Sequence, residues 1–94
     1  MSVLSPQVVL YTTRFCPYCT RARALLVRKG VEFNDIPVDA DPERRAEMQS
    51  RSGRRTVPQI WIGDCHVGGF DELAALEREG RLDELLQRAP GAGA

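Results

Sequence analysis

Two cysteines separated by two residues, Cys16 and Cys19 in "CPYC", are the residues in this chain best suited to do chemistry. Such a pair can trade electrons, brace a fold or hold a metal. A disulfide across so small a loop stabilises little in the chain-entropy picture. A metal would need more ligands, and the candidates are Cys65 and His66. These are neighbours on a predicted strand or turn, and strand neighbours point to opposite faces. No second CxxC or HxxxH completes a zinc set. Redox exchange is the favoured reading.

Two further stretches carry chemistry. "TVPQIWI" (56–62) opens with a proline at a strand start. A cis bond before Pro58 would turn the backbone of Val57 outward, where an extended peptide pairs by β-augmentation. The sequence alone leaves cis and trans open. In "GGFDEL" (68–73), Gly68 and Gly69 allow close backbone approach, and Phe70 and Asp71 follow at a helix N-terminus. That end suits a carboxylate, and the Asp71 side chain suits an ammonium. An ordinary turn with an N-cap is the plainer account.

The elements that must position these residues follow from pattern. "QVVLYT" (7–12) reads as a central strand, nearly all apolar or β-branched. Cys19, Ala22, Leu25, Leu26 and Lys29 recur at helical steps, with Gly30 as the stop. "VEFNDIPVD" (31–39) is a second strand, at a sheet edge because Pro37 cannot donate to a ladder. A helix capped by Asp41, with Pro42 and Glu43 in its first turn, runs to Gly53 with a thin apolar face. A strand after Pro58, a turn at Gly63–Asp64 and a return strand over 65–69 make a hairpin. Asp71 then caps a helix with Leu73 and Leu76 inward. A last short helix carries Leu82, Leu85 and Leu86. The order is β-α-β-α-β-β-α-α, with a right-handed crossover between the first two strands.

On that map Cys16 lies at or just before the first helical position and Cys19 one turn inside, on the core face with Ala22 and Leu26. A helix N-terminus offers free N–H groups and about half a positive charge, and both favour a thiolate. Cys16 is the expected nucleophile and Cys19 the shielded resolving thiol.

Composition fits one domain. The chain has 94 residues, 43% of them apolar, with 13 basic and 13 acidic side chains. Residues 1–89 are read as the domain and 90–94 as a disordered tail. The neutral balance argues against nucleic-acid and membrane partners. The longest apolar runs fall far short of the roughly 20 residues of a spanning helix. The start lacks the pattern of a signal peptide. Three cysteines, an odd number, point to the reducing cytoplasm. Cys65 is expected to be exposed, and Trp61 to pack in the core.

"YTTRFCPYCTRARALLVRKGVEF", "RSGRRTVPQIWIG" and "HVGGFDEL" together resemble the glutaredoxin family, specifically its bacterial dithiol members. The resemblance spans about residues 7–88. It implies an α/β thioredoxin fold, a four-stranded mixed sheet flanked by helices. It implies a glutathione-dependent thiol–disulfide oxidoreductase that acts on protein disulfides and glutathionylated proteins. Glutathione would be a co-substrate, with no permanent cofactor, and the glutathione reductase system an indirect partner. A monomer is expected.

The resemblance also implies a cis Val57–Pro58 bond. It places the cysteinyl part of glutathione on the Val57 backbone, beside Pro58. It places the γ-glutamyl carboxylate on the N–H groups near Gly69, Phe70 and Asp71, with Tyr18 and Thr56 flanking. Two positions depart from the family: Thr13 stands where a lysine is usual, and Phe70 where Cys or Ser is common. Arg14, Arg45 and Arg55 are the expected replacements for the lysine. A redoxin fed by thioredoxin reductase, serving ribonucleotide reductase, is the alternative. A carrier of iron–sulfur clusters is the remoter one.

Overall fold

The computed structural model describes residues 8–88. The proposed tail, 90–94, and Gln7 of the first predicted strand lie outside them. The elements are β1 (Val8–Thr12), α1 (Pro17–Arg28), β2 (Asn34–Pro37), α2 (Pro42–Ser52), β3 (Gln59–Ile62), β4 (Cys65–Gly68), α3 (Phe70–Arg78) and α4 (Leu82–Arg88). They form one four-stranded sheet in the order β2-β1-β3-β4. β1 runs parallel to β2 and antiparallel to β3, and β3 is antiparallel to β4. The mixed sheet with helices on both faces is the thioredoxin fold. Pro37 sits on the edge strand, where its missing donor costs no ladder bond.

Alternation along the two central strands divides the core. Val8 and Leu10 of β1 and Ile60 and Ile62 of β3 join Ala22, Leu25 and Leu26 of α1, Leu73 of α3, and Leu82 and Leu86 of α4. Tyr11 and Trp61 belong to the second cluster, with Val38 and Met48. Met48 is the one buried residue of α2, in keeping with its thin apolar face. Leu26 is fully buried at the centre of the larger cluster. Leu26→Ala is expected to cost about 3 kcal/mol, from lost transfer energy plus a cavity. Denaturant titration should show a lower midpoint at unchanged slope.

Several boundaries differ from expectation: the second strand ends at Pro37 rather than Asp39, the return strand ends at Gly68 rather than Gly69, and two further differences bear on the site. The second strand begins at Asn34 rather than Val31. Gly30, at φ 72°, turns the chain so that Val31 N–H bonds back to Leu26 carbonyl at 3.4 Å. Val31 and Phe33 then pack against the larger core cluster instead of joining the sheet. The second difference concerns α3. Its N-cap is Gly69, and Asp71 is already inside the first turn. Glu72 performs the capping: its carboxylate accepts from Gly69 N–H at 2.7 Å.

Candidate active site

Cys16 is the N-cap of α1, in extended conformation, and Pro17 takes the first helical position. Pro17 needs no hydrogen bond there and its φ suits the helix. The Cys16 sulfur accepts the N–H of Cys19 at 3.1 Å. The Cys16 sulfur is thus fixed at a helix end by the backbone of Cys19. No residue of the first turn of α1 is acidic, so nothing there opposes negative charge on the sulfur.

Cys19 is fully buried beside Ala22 on the core face. Burial first, and then its hydrogen bond to Cys16, push the Cys19 thiol up to about 12. The two cysteines therefore sit in different environments. One is half-exposed at the helix end, the other buried and held protonated. Cys65 is a free, exposed thiol on β4, as expected.

The loop before β3 closes the site. Val57–Pro58 is cis. The Val57 carbonyl oxygen lies 3.8 Å from the Cys16 sulfur. A cleft of about 350 Å³ runs from here, lined in part by Tyr18, Thr56, Val57, Pro58, Gly69 and Phe70. Asp71 completes the expected set along its wall. The rings of Tyr18 and Phe70 stand 6.4 Å apart across it. A larger hollow of about 430 Å³ lies between β4, α3 and α4, lined by Cys65 and not by Cys16.

The cleft's arginine is not among the three that sequence singled out as lysine replacements. Arg14 is held by Asp39 at 2.9 Å, and that guanidinium keeps the Asp39 carboxyl below its ordinary range. Neither Arg45 nor Arg55 lines the cleft. Arg54 does, 3.8 Å from Glu72. Glu72 also lines it, and the Gly69 N–H, foremost, lowers its carboxyl below the usual range. Sequence did carry a sign for Glu72, the spacing of three from Gly69. It carried none for choosing Arg54 over its neighbour.

Gly68 holds the chain entry to this wall. Its φ is 113°, and a Cβ there would meet the Glu72 carboxylate at 2.8 Å. The φ favours glycine, and a side chain there would also push the Glu72 carboxylate aside.

Beneath the loop is a polar chain that sequence reading passed over. Gln59 is fully buried within β3. Its Nε2 donates to the Thr56 carbonyl at 3.0 Å and to Thr56 Oγ1 at 3.1 Å. That leaves its Oε1 to accept from His66 Nε2, 2.8 Å away. Burial, and then the nearby Arg54, lower the His66 pKa, which favours the neutral ring with its proton on Nε2. The sign was present: one polar residue in an otherwise apolar strand. A buried amide persists only when its bonds are satisfied, and these tie β3 and β4 to the Val57 loop.

A thioredoxin-fold sheet with a CxxC pair at the N-terminus of α1, one sulfur half-exposed and the other buried, defines a thiol–disulfide oxidoreductase. Within that class, the glutaredoxin family model matches residues 8–67. A glutaredoxin of Pseudomonas aeruginosa is 62% identical over 81 residues, 86% of this chain and 96% of that one. The solution structure of a glutaredoxin from Brucella melitensis superposes with a TM-score of 0.78 at 62% identity, covering 89% of this chain and 91% of that. A crystal structure of a buckwheat glutaredoxin–glutathione complex superposes at 0.79 with 30% identity, covering 86% and 76%. The chain belongs to the glutaredoxin family. Among the described residues, no helix is long and apolar enough to cross a membrane.

Proposed function

We propose that the chain is a glutathione-dependent oxidoreductase, reducing protein disulfides and glutathionylated proteins through Cys16 and Cys19. The observation that carries this is the cleft joined to the nucleophile: Val57, beside the Cys16 sulfur, lines the same 350 Å³ space as Tyr18, Thr56 and Asp71. An extended tripeptide with its sulfur at Cys16 lies along this space. Its cysteinyl part pairs with the Val57 backbone beside Pro58. Its γ-glutamyl carboxylate meets the N-terminal N–H groups of α3 near Gly69, Phe70 and Asp71. The Glu72 carboxylate is already engaged by Gly69, which leaves Asp71 for the amine. Arg54, which lines the cleft, joins Arg14, Arg45 and Arg55 as a candidate cation for the glycyl carboxylate.

In the monothiol reaction the Cys16 thiolate attacks the glutathionyl sulfur. The old S–S bond breaks, the protein leaves as thiolate, and glutathione stays on Cys16. A second glutathione thiolate attacks that adduct, releasing glutathione disulfide and the Cys16 thiolate. In the dithiol reaction Cys16 attacks a protein disulfide, and Cys19 then displaces the substrate thiol to form the Cys16–Cys19 disulfide. Two glutathiones restore the pair. A buried thiol is a poor nucleophile while protonated. Once Cys16 is in a mixed disulfide, its sulfur can carry no negative charge towards Cys19, and that contribution to the raised pKa is gone.

The test is reduction of the oxidised protein by two separate systems. Turnover with glutathione and glutathione reductase, and none with thioredoxin reductase, is the expected result. The reverse would assign the chain to redoxins fed by thioredoxin reductase. Asp71→Asn should raise the glutathione KM about tenfold, the scale of one charge-assisted hydrogen bond. We further propose a cytoplasmic monomer with residues 1–89 as its single domain.

A further inference from the structure

Phe15, the residue before the nucleophile, is 90% exposed. Tyr18, two residues after it, is 51% exposed. A lone surface aromatic needs no explanation, but these two flank the reacting sulfur. Each lies near an arginine: Arg14 at 5.8 Å from the Phe15 ring centre and Arg21 at 5.4 Å from that of Tyr18. Arg14 is neutralised by Asp39, and Arg23 by Asp35. Arg21 makes no ion pair with any described residue. The first turn of α1 holds no acid. On the α1 side of Cys16 the surface is therefore aromatic with one uncompensated positive charge, and the acids of the site, Asp71 and Glu72, stand on the α3 wall of the cleft.

We propose that Phe15 and Arg21 form a docking surface for protein disulfides whose oxidised cysteine is flanked by an apolar and an acidic residue. The inference deepens the proposed function and rests on Cys16 as nucleophile. This surface is continuous with the reacting atom. A substrate sulfur must reach Cys16, and the residue next to the substrate cysteine lies one Cα step away, about 3.8 Å. It therefore arrives over Phe15 or Tyr18. An apolar side chain there removes the Phe15 ring from water, and the exposed ring is where a buried anchor contributes most. Arg21, preorganised on Tyr18, meets a carboxylate on the next residue. The electrons balance within one encounter. The Cys16 thiolate attacks one substrate sulfur and the second leaves as a thiolate that takes a proton. Cys19, losing its proton, displaces the first. The substrate gains two electrons and the Cys16–Cys19 disulfide forms. A small disulfide reaches the same sulfur without touching Phe15.

The test uses pre-reduced protein in single turnover, without added glutathione. The substrates are two synthetic peptides with an internal disulfide, one flanked by Leu and Asp and one by Ser and Lys, and hydroxyethyl disulfide as the small control. Wild type should reduce the Leu/Asp peptide faster than the Ser/Lys peptide. Phe15→Ala should slow the Leu/Asp peptide about tenfold and leave the small disulfide unchanged. Arg21→Glu should reverse the order of the peptides. Equal rates for both peptides with wild type, or an equal loss on all substrates in Phe15→Ala, would overturn the proposal. Because no glutathione is present, failure of the glutathione cycle leaves this result readable on its own.

Discussion

Cys16→Ser should abolish both reactions, deglutathionylation and dithiol reduction, whereas Cys19→Ser should keep the first and lose the second. The loss at Cys16 is expected to exceed about 1,000-fold, since a serine hydroxyl is neither ionised near neutral pH nor a comparable nucleophile or leaving group. The split follows from geometry. Cys16 stands at the helix end beside the Val57 carbonyl and can meet a substrate sulfur. Cys19 is fully buried and meets only what Cys16 already holds. The measurement is steady-state turnover of a glutathionylated peptide and of a protein disulfide by both variants. A Cys19→Ser protein that still reduced the protein disulfide at the wild-type rate would remove the resolving role.

The second large effect is on alkylation of Cys19. A thiol raised to about 12 carries about 1,000-fold less thiolate near pH 8 than an ordinary cysteine at about 8.5. In the reduced folded protein, Cys19 should react with iodoacetamide slower by that factor than in the denatured chain. The rate should rise about tenfold for each pH unit over the alkaline range below that pKa. Cys16→Ala removes both contributions Cys16 makes to the shift, its hydrogen bond and its charge, and leaves burial, so Cys19 in that variant should alkylate faster at the same pH. Linkage gives the accompanying stability change. The folded pKa is the higher one, so the folded state binds this proton more tightly. The stabilisation is complete below about 8.5 and disappears as pH rises towards about 12. Mass spectrometry of timed digests reads the alkylation rate, and denaturant midpoints read the stability.

Much of the site was legible because its chemistry is local. Cys16 at a helix start, Pro17 and the core position of Cys19 all follow from a few residues and the helical period. The strand order was legible in part, since Pro37 belongs on an edge and "VVLYT" in the centre. What escaped depends on contacts between elements. Asp71 looks like an N-cap, but Glu72 reaches back to Gly69, and the helix starts one residue before Asp71. Adjacent arginines 54 and 55 cannot be ranked by type; in the fold Arg54 lines the cleft and Arg55 does not. Arg14 adjoins the position of the missing lysine, and its pairing with Asp39, two residues beyond β2, is a contact that sequence spacing does not show. The Gln59–His66 bond joins residues across the β3–β4 hairpin, so periodicity along either strand could not reveal it.

The central claim is that Cys16 carries glutathione during turnover. The most direct measurement is to mix reduced Cys19→Ser protein with glutathione disulfide, quench in acid and locate the adduct by peptide mass. The account predicts one glutathione, attached to Cys16, formed within the enzymatic turnover time and removed by added glutathione. An adduct confined to Cys65, or none at all, would contradict it.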